Sequence, residues 1–526
     1  DRVCCHSAGG NYEPICKSIE IGRTSMKKIV ILPLDERPCN YNFPLFLSEG
    51  NSRYVLAAPP REMMGKKKIP GNYSALKEFL QRECSDAYGL ILSVDALLYG
   101  GIVPSRLHGL SEEQLTERLS VIEELKRKNP ALKIYAFALL MRCPSYSSSD
   151  EEPDYYAECG REIFLTGQAE HKYIDGLLDK KEYIRQREAL DRITGNALKD
   201  YLSRRKVNLR LLEKTLMLVG GAIDKLIIPQ DDSAPYGYTA LDQRKIKSFI
   251  AENQIRKVAI YPGADETGMT LLAALVSDME EKRPVICPIY PKEECKGVIP
   301  LYEDRAVEQS IRAQIEGAGA IMSENSDTAD ILLFCNLPAG NMKNSSEYGG
   351  SDYDSRDLPR FTEEMKKGFC EGKIVAAADL AYCNGGDAEW AELLDKSVGL
   401  FELGGYAGWN TSSNSLGTVI CQSVLRFLYG NGDALKAFTA ERIYEDVGYC
   451  AYVRKRMCDE VLPKMGLDYF HVDGVRGEVS RAVKKMLEDY IKKRFPDVWE
   501  NYEITDCAMP WNRMFEVELR VEKRLK

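Results

Sequence analysis

Short apolar runs alternating with helix-forming stretches predict an α/β protein on a largely parallel sheet, arranged as a (β/α)8-like barrel with extra strands. Three observations carry that prediction. The runs ("KIVILPL", "KLIIPQ", "KIVAAAD") are near-continuously apolar, as strands covered on both faces are, rather than alternating. About nine or ten of them recur between Met26 and Gly430. Helical segments separate them, such as "TGMTLLAALVSDMEEK", where Leu271, Leu272, Leu275, Val276 and Met279 share one face. Two doubly wound sheets in series fit the same order; the barrel is the expectation.

Residues 1–25 have neither periodicity nor the apolar core of a signal peptide, so they read as a disordered leader or an appended segment, with Met26 starting the fold. Strands are expected at 28–34, 53–59, 89–94, 133–140, 225–230, 257–262, 283–290, 329–336 and 373–379, with "LFELGG" (400–405) as a further one. Residues 143–224 form the largest insertion. It opens with the polar "PSYSSSDEEPDYY" and continues in charged helix formers such as "KKEYIRQREALDRI", either a lid over a site or a solvated helical excursion. After Gly430 the pattern changes to longer helices. The chain ends in "RMFEVELRVE", where Phe515, Val517, Leu519 and Val521 alternate as in a half-buried strand. The expected division is a barrel-like domain at 26–430, carrying the insertion, and a smaller α+β domain at 431–526.

Composition narrows the function classes. The 526 residues are 44% hydrophobic and 29% charged, ordinary globular usage. A net charge of -9 argues against a nucleic-acid partner. No apolar run reaches the roughly 18 residues that span a bilayer, so no membrane partner is expected. Sixteen cysteines are scattered without CxxC or zinc spacing, mostly inside apolar stretches such as "LLFCNL". They read as reduced, buried thiols and hence as a cytoplasmic protein. With four histidines, no His-rich metal site is expected and no cofactor is implied.

The candidate site lies at the strand ends. "ILPLDERP" puts Asp35, Glu36 and Arg37 after the first strand, and "LILSVDALLYGGIVPSR" puts Asp95 and then Arg106 after another. "IIPQDDSAPYG" supplies Asp231, Asp232 and Tyr236, and "IYPGADETG" supplies Asp265 and Glu266. "VAAADLAYCNGGD" supplies Asp379, Asn384 and Asp387; "GGYAGWNTSSNSLGT" replaces charge with Trp409, Asn410 and Asn414. In a parallel sheet all these ends share one rim, where α/β enzymes keep their chemistry. The structural alternative for each acid is a helix cap, or an ion pair with Arg37, Arg106 or Arg142.

Two adjacent aspartates converge only where a strand breaks into a loop, and "DDSAPYG" supplies that break. Convergence would raise one pKa and leave a protonated acid beside an anion. That division suits glycoside hydrolysis, including the substrate-assisted form in which the second acid steadies a 2-acetamido group. Trp409 is the expected stacking platform for a sugar, with Asn410 and Asn414 for its polar groups; a plain turn capping the next helix is the alternative. Cys39, without an evident histidine partner, reads as a buried thiol.

Together, "LPLDERPCNY", "DALLYGGIVPSR", "PQDDSAPYG", "PGADETG", "AYCNGGD" and "YAGWNTSSNSLGT" resemble a bacterial family known as domain of unknown function 4127, over Met26 to the C-terminus. That resemblance supplies no reaction. An Asp-Asp pair after a middle strand also resembles barrel-type substrate-assisted hexosaminidases. The leading expectation is a glycosidase for a small-molecule or oligosaccharide substrate, with Asp232 as acid/base and Asp231 as its partner. Asp35, Glu36, Arg37, Asp95, Arg106, Tyr236, Asp265, Glu266, Asn384, Asp387, Trp409, Asn410 and Asn414 would line its pocket. The rivals are a Mg²⁺- or Mn²⁺-dependent hydrolase or lyase using the same carboxylates, and a non-catalytic sugar-binding protein.

Overall fold

The computed structural model describes residues 26–525, so the expectation for residues 1–25 lies outside the described residues. Six strands form the first sheet: β1 (Lys27–Leu32), β2 (Tyr54–Ala57), β3 (Gly89–Ser93), β4 (Lys133–Phe137), β5 (Lys225–Gln230) and β6 (Val258–Pro262). All pairs are parallel, in the order β2-β1-β3-β4-β5-β6. The chain continues through β7 (Val285–Ile289), β8 (Ile321–Met322), β9 (Ile331–Asn336), β10 (Lys343–Asn344), β11 (Ile374–Asp379), β12 (Tyr382–Cys383) and β13 (Tyr406–Ala407). Five of these make a second parallel sheet, ordered β13-β11-β9-β7-β8, while β10 and β12 pair as a short parallel ladder.

The expected barrel is not formed. Among the described residues both sheets stay open, with β2 and β6 at the edges of one and β13 and β8 at the edges of the other. Each sheet starts on an inner strand, sends the next strand to one side and the rest to the other. This is doubly wound topology, with a switch point between β1 and β3 and another between β7 and β9. The strand runs were legible because burial on both faces makes them apolar. Closure was not, since an open and a closed parallel sheet demand the same apolar runs.

One hydrophobic core joins the two sheets. It combines Ile29 and Ile31 of β1, Phe43, residues 271–276 and Leu333 of β9 with Leu416, Val419 and Val424. The largely buried helix Thr267–Met279 packs on β3 and β4 and also on the helix Ser412–Tyr429, which lies against β11 and β13. The expected strand at 400–405 is instead a short 3-10 turn at Leu400–Glu402, and the strand follows as β13. Within 143–224 the helices Tyr156–Ile174 and Lys180–Leu216 pair as a hairpin.

Beyond Gly430 come the helix Asp433–Arg442, a π-helical stretch Ile443–Val453, the helix Glu478–Arg494 and an antiparallel pair, β14 (Tyr502–Ala508) with β15 (Glu518–Lys523). Val479, Val483 and Leu487 of this segment share a core with Phe334, Val375 and Trp390 of the second sheet's layer. The cysteines of the described residues are free thiols, buried except for Cys370 and Cys458. No helix among the described residues is long and apolar enough to cross a membrane.

Candidate active site

A cavity of about 430 Å³ opens at the carboxyl ends of the first sheet's strands. Asp231 and Asp232 follow β5 directly, and the backbone at Asp232 is left-handed, with φ 40°. That reversal turns both carboxylates the same way. Arg142 Nη1 lies 2.9 Å from Asp232 Oδ2 and 3.9 Å from Asp231 Oδ2. Arg106 Nη2 donates to Asp231 Oδ2 at 2.7 Å. Burial pushes Asp232 up to about 7; Arg142 opposes the shift and Asp231 reinforces it. The pair therefore places a proton donor beside an ion-paired carboxylate in one polar cavity.

The ends of β1 and β6 close one side. Arg37 donates through Nε to Asp35 Oδ2 at 2.9 Å, and through Nη2 to Asp265 Oδ1 at 2.5 Å. Asn40 Nδ2 bridges Asp35 Oδ1 and Asp265 Oδ1 at 2.9 Å each. Of the expected pocket residues, Arg37, Arg106, Asp231, Asp232 and Asp265 border the cavity, and from the second sheet's loops so do Asn384, Asn410 and Asn414. Asn384 N donates to the Asn410 carbonyl at 2.7 Å, tying those two loops together. Asn384 and Asn410, like Asp232 and Tyr302, border the cavity with left-handed backbones (φ 62°, 48°, 40° and 66°). Non-glycine residues in that region concentrate at functional sites.

The other expected residues lie behind the walls. Asp35 is buried beneath Arg37. Glu36 Oε1 accepts from the Trp511 indole at 2.6 Å and from the Lys67 amide at 3.0 Å. Asp95 accepts from the Leu139 amide at 2.9 Å, and burial pushes it up to about 7. Glu266 binds the Ala264 amide at 2.9 Å, and the Gln314 and Asn414 side-chain amides at 2.8 Å each. Asp387 caps the helix Ala388–Ser397 and pairs with Arg356 at 2.9 Å. Tyr236 sits edge-on to His171, away from the cavity.

Trp409 requires a correction: it is no sugar platform on this cavity. Its ring is buried edge-on against Phe43 and its Nε1 donates to Thr418 Oγ1 at 3.1 Å. The segment around it is polar, but its packing partner comes from a helix far away in sequence. The aromatic side chains that border the cavity are Tyr146, Tyr302, Tyr469, Phe470 and Phe515. Cys39 is buried, and burial pushes its thiol up, consistent with the inert reading.

Sequence reasoning placed Arg142 at a strand end as an ion-pair partner, which it is. It missed the acidic run Asp150–Glu152 as part of the wall, along with Tyr302, Glu303 and Arg513. "SSSDEEPD" carried a signal in its charge, but only the fold brings it to the rim. Glu303 accepts from the Ser413 amide at 2.8 Å at the start of the helix Ser412–Tyr429, and burial pushes it up to about 7. The carboxylates around Asp231 and Asp265 are bound to guanidinium groups. Among the described residues no three His, Cys, Asp or Glu side chains are placed to hold a metal ion.

A family model described as "Protein of unknown function (DUF4127)" matches residues 29–520. No curated protein and no solved structure matches the chain, and nothing in these comparisons supports a likeness to hexosaminidases.

Proposed function

The chain belongs to the DUF4127 family, whose description carries no reaction, and from its cavity we propose that it is a glycoside hydrolase with Asp232 as the general acid–base. One observation carries the reading: a carboxyl pushed up to about 7 stands beside a second one paired with Arg106, and both reach the same Arg142 nitrogen. A group near neutrality can donate a proton to a leaving oxygen and take one back from water. The wall around it combines ion-paired arginines and carboxylates with amides, hydroxyls and aromatic rings, which suits the polar edges and apolar faces of a sugar.

In the reaction, Asp232 protonates the glycosidic oxygen as the C–O bond breaks. The two aspartates lie on one side of the cavity, so this pair supplies no nucleophile from the opposite face of the sugar. An N-acetylhexosaminide fits that constraint: its own acetamido oxygen attacks the anomeric carbon while Asp231 accepts the acetamido N–H. Water, deprotonated by Asp232, then opens the cyclic intermediate and restores the proton to the enzyme.

The test is turnover of aryl N-acetylhexosaminides and related aryl glycosides by the wild type, Asp232→Asn and Asp231→Asn, with and without chelator. Each variant is expected to lose about 10²–10⁴-fold in kcat, with no effect of chelator. Loss in chelator, restored by Mg²⁺ or Mn²⁺, would shift the reading to a metal-dependent hydrolase or lyase. Stabilisation by sugars without product would make the protein a binding protein.

A further inference from the structure

The loop 144–154, which has no regular secondary structure through its first residues, carries Glu151 into a cluster of arginines. Glu151 Oε2 accepts from Arg106 Nη1 at 3.1 Å and from Arg142 Nη2 at 3.0 Å, while Oε1 accepts from Arg513 Nη1. These three guanidiniums are buried, and they come from the short helix Pro104–Leu107 beyond β3, the loop after β4 and the C-terminal segment. Burial pushes the Glu151 carboxyl up, yet Arg513, Arg142, Arg106 and Arg37 together hold it well below the usual carboxylate range. Of the anchoring carboxylates that border the cavity, it alone touches Arg106, Arg142 and Arg513 at once.

Two further features distinguish this from a closed structural network. Arg513 Nε is buried and has no hydrogen-bond partner, and Glu152 Oε2 is likewise orphaned. Buried donors and acceptors left unmet beside a polar cavity are places for ligand or ordered water. Arg106 and Arg142 also retain their bonds to Asp231, Asp232 and Glu152 if Glu151 leaves, so the cluster does not depend on it for its geometry.

We propose that this cluster is an oxyanion subsite in which Glu151 stands in for a carboxylate, sulfate or phosphate group on the substrate. The substrate's anion displaces Glu151 and is held between Arg106, Arg142 and Arg513, as planar guanidinium forks hold such groups. Resting on the glycosidase reading, this makes the preferred substrate an acidic glycoside. The subsite itself does not require that reading.

The experiment is calorimetric binding to the full chain, which is independent of turnover. The probes are methyl glucuronide, glucose 6-phosphate and inorganic sulfate, set against methyl glucoside at matched ionic strength. The wild type is expected to bind at least one charged sugar about tenfold or more tightly than methyl glucoside. Glucuronide and phosphate ester together distinguish a carboxylate from a phosphate subsite. Glu151→Gln is expected to tighten binding of the preferred anion and to gain more thermal stability from sulfate than the wild type does. Arg513→Gln is expected to abolish the preference for charge. Equal affinity for charged and neutral sugars in the wild type, or no tightening in a folded Glu151→Gln, would overturn the subsite. If both variants fail to fold, the wild-type comparison alone decides. A hydrolase test that fails while charged sugars still bind would overturn only the catalytic reading.

Discussion

Asp232 occupies a backbone conformation that L-residues seldom adopt, and its chemistry depends on that. Continuing as extended strand would send Asp231 and Asp232 to opposite faces; the left-handed turn brings both to one guanidinium. Arg142 is the counterweight, lowering a carboxyl that burial and Asp231 raise. The wild type should therefore lose kcat/KM as pH rises through about 7, when the acid loses its proton. Arg142→Gln removes the opposing charge and should move that limb to higher pH; an unmoved limb would show that Asp232 is not the titrating group. The pair itself was legible, because two acids with Pro235 and Gly237 close behind them mark a broken strand. Trp409, Asp95 and Glu36 misled because a polar or aromatic residue at a strand end serves equally as wall, anchor or core, and only its distant partners decide.

The helix Ser412–Tyr429 sets the floor of the site. Thr411 and Asn414 close its first turn with a capping box, and the Asn414 side chain reaches Glu266 at 2.8 Å. The approach is so close that a Cβ at Gly417 would stand 2.3 Å from Glu266 Cγ and 2.8 Å from Thr270 Oγ1. Gly417→Ala should therefore destabilise the protein by about 1–3 kcal/mol in chemical denaturation, although alanine favours helix elsewhere. A neutral or stabilising result would mean that the helix can shift without cost. That a helix follows the Trp-Asn loop was visible in the sequence, as were the strands β1, β3, β5 and β9. What stayed hidden was the role of the insertion: its opening loop joins the cavity wall, whereas its helices form a hairpin whose small core around Tyr156, Ile163 and Tyr201 also takes in Met141 and Tyr238.

At the scale of the molecule, two doubly wound sheets share a helical layer and leave their loops to build one cavity between them. The sequence order was compatible with this and with a barrel, and the choice depends on which edges pair, a long-range matter that apolar runs do not encode. The architecture also buries many acids. Burial pushes Asp95, Glu266, Glu303, Asp379 and Asp446 up to about 7 and Glu441 up to about 8. Their folded-state pKa values exceed the unfolded ones, so between about pH 4 and 7 the folded chain holds protons that the unfolded chain releases. The stability these acids contribute is complete at low pH and is lost as pH rises through 7 to 8. The thermal midpoint should accordingly be higher at pH 5.5 than at pH 8.5, and a rise in the opposite direction would contradict the protonated-core account.

General acid catalysis by Asp232 is the central claim, and leaving-group dependence tests it most directly. In kcat/KM, which reports the step that expels the leaving group and not the later attack of water, Asp232→Asn should stay within about tenfold of the wild type on a leaving group that needs no proton, such as dinitrophenolate, and should lose about 10²–10⁴-fold on a poor one such as an alkyl alcohol. Equal losses for both substrates, or no loss for either, would contradict the assignment.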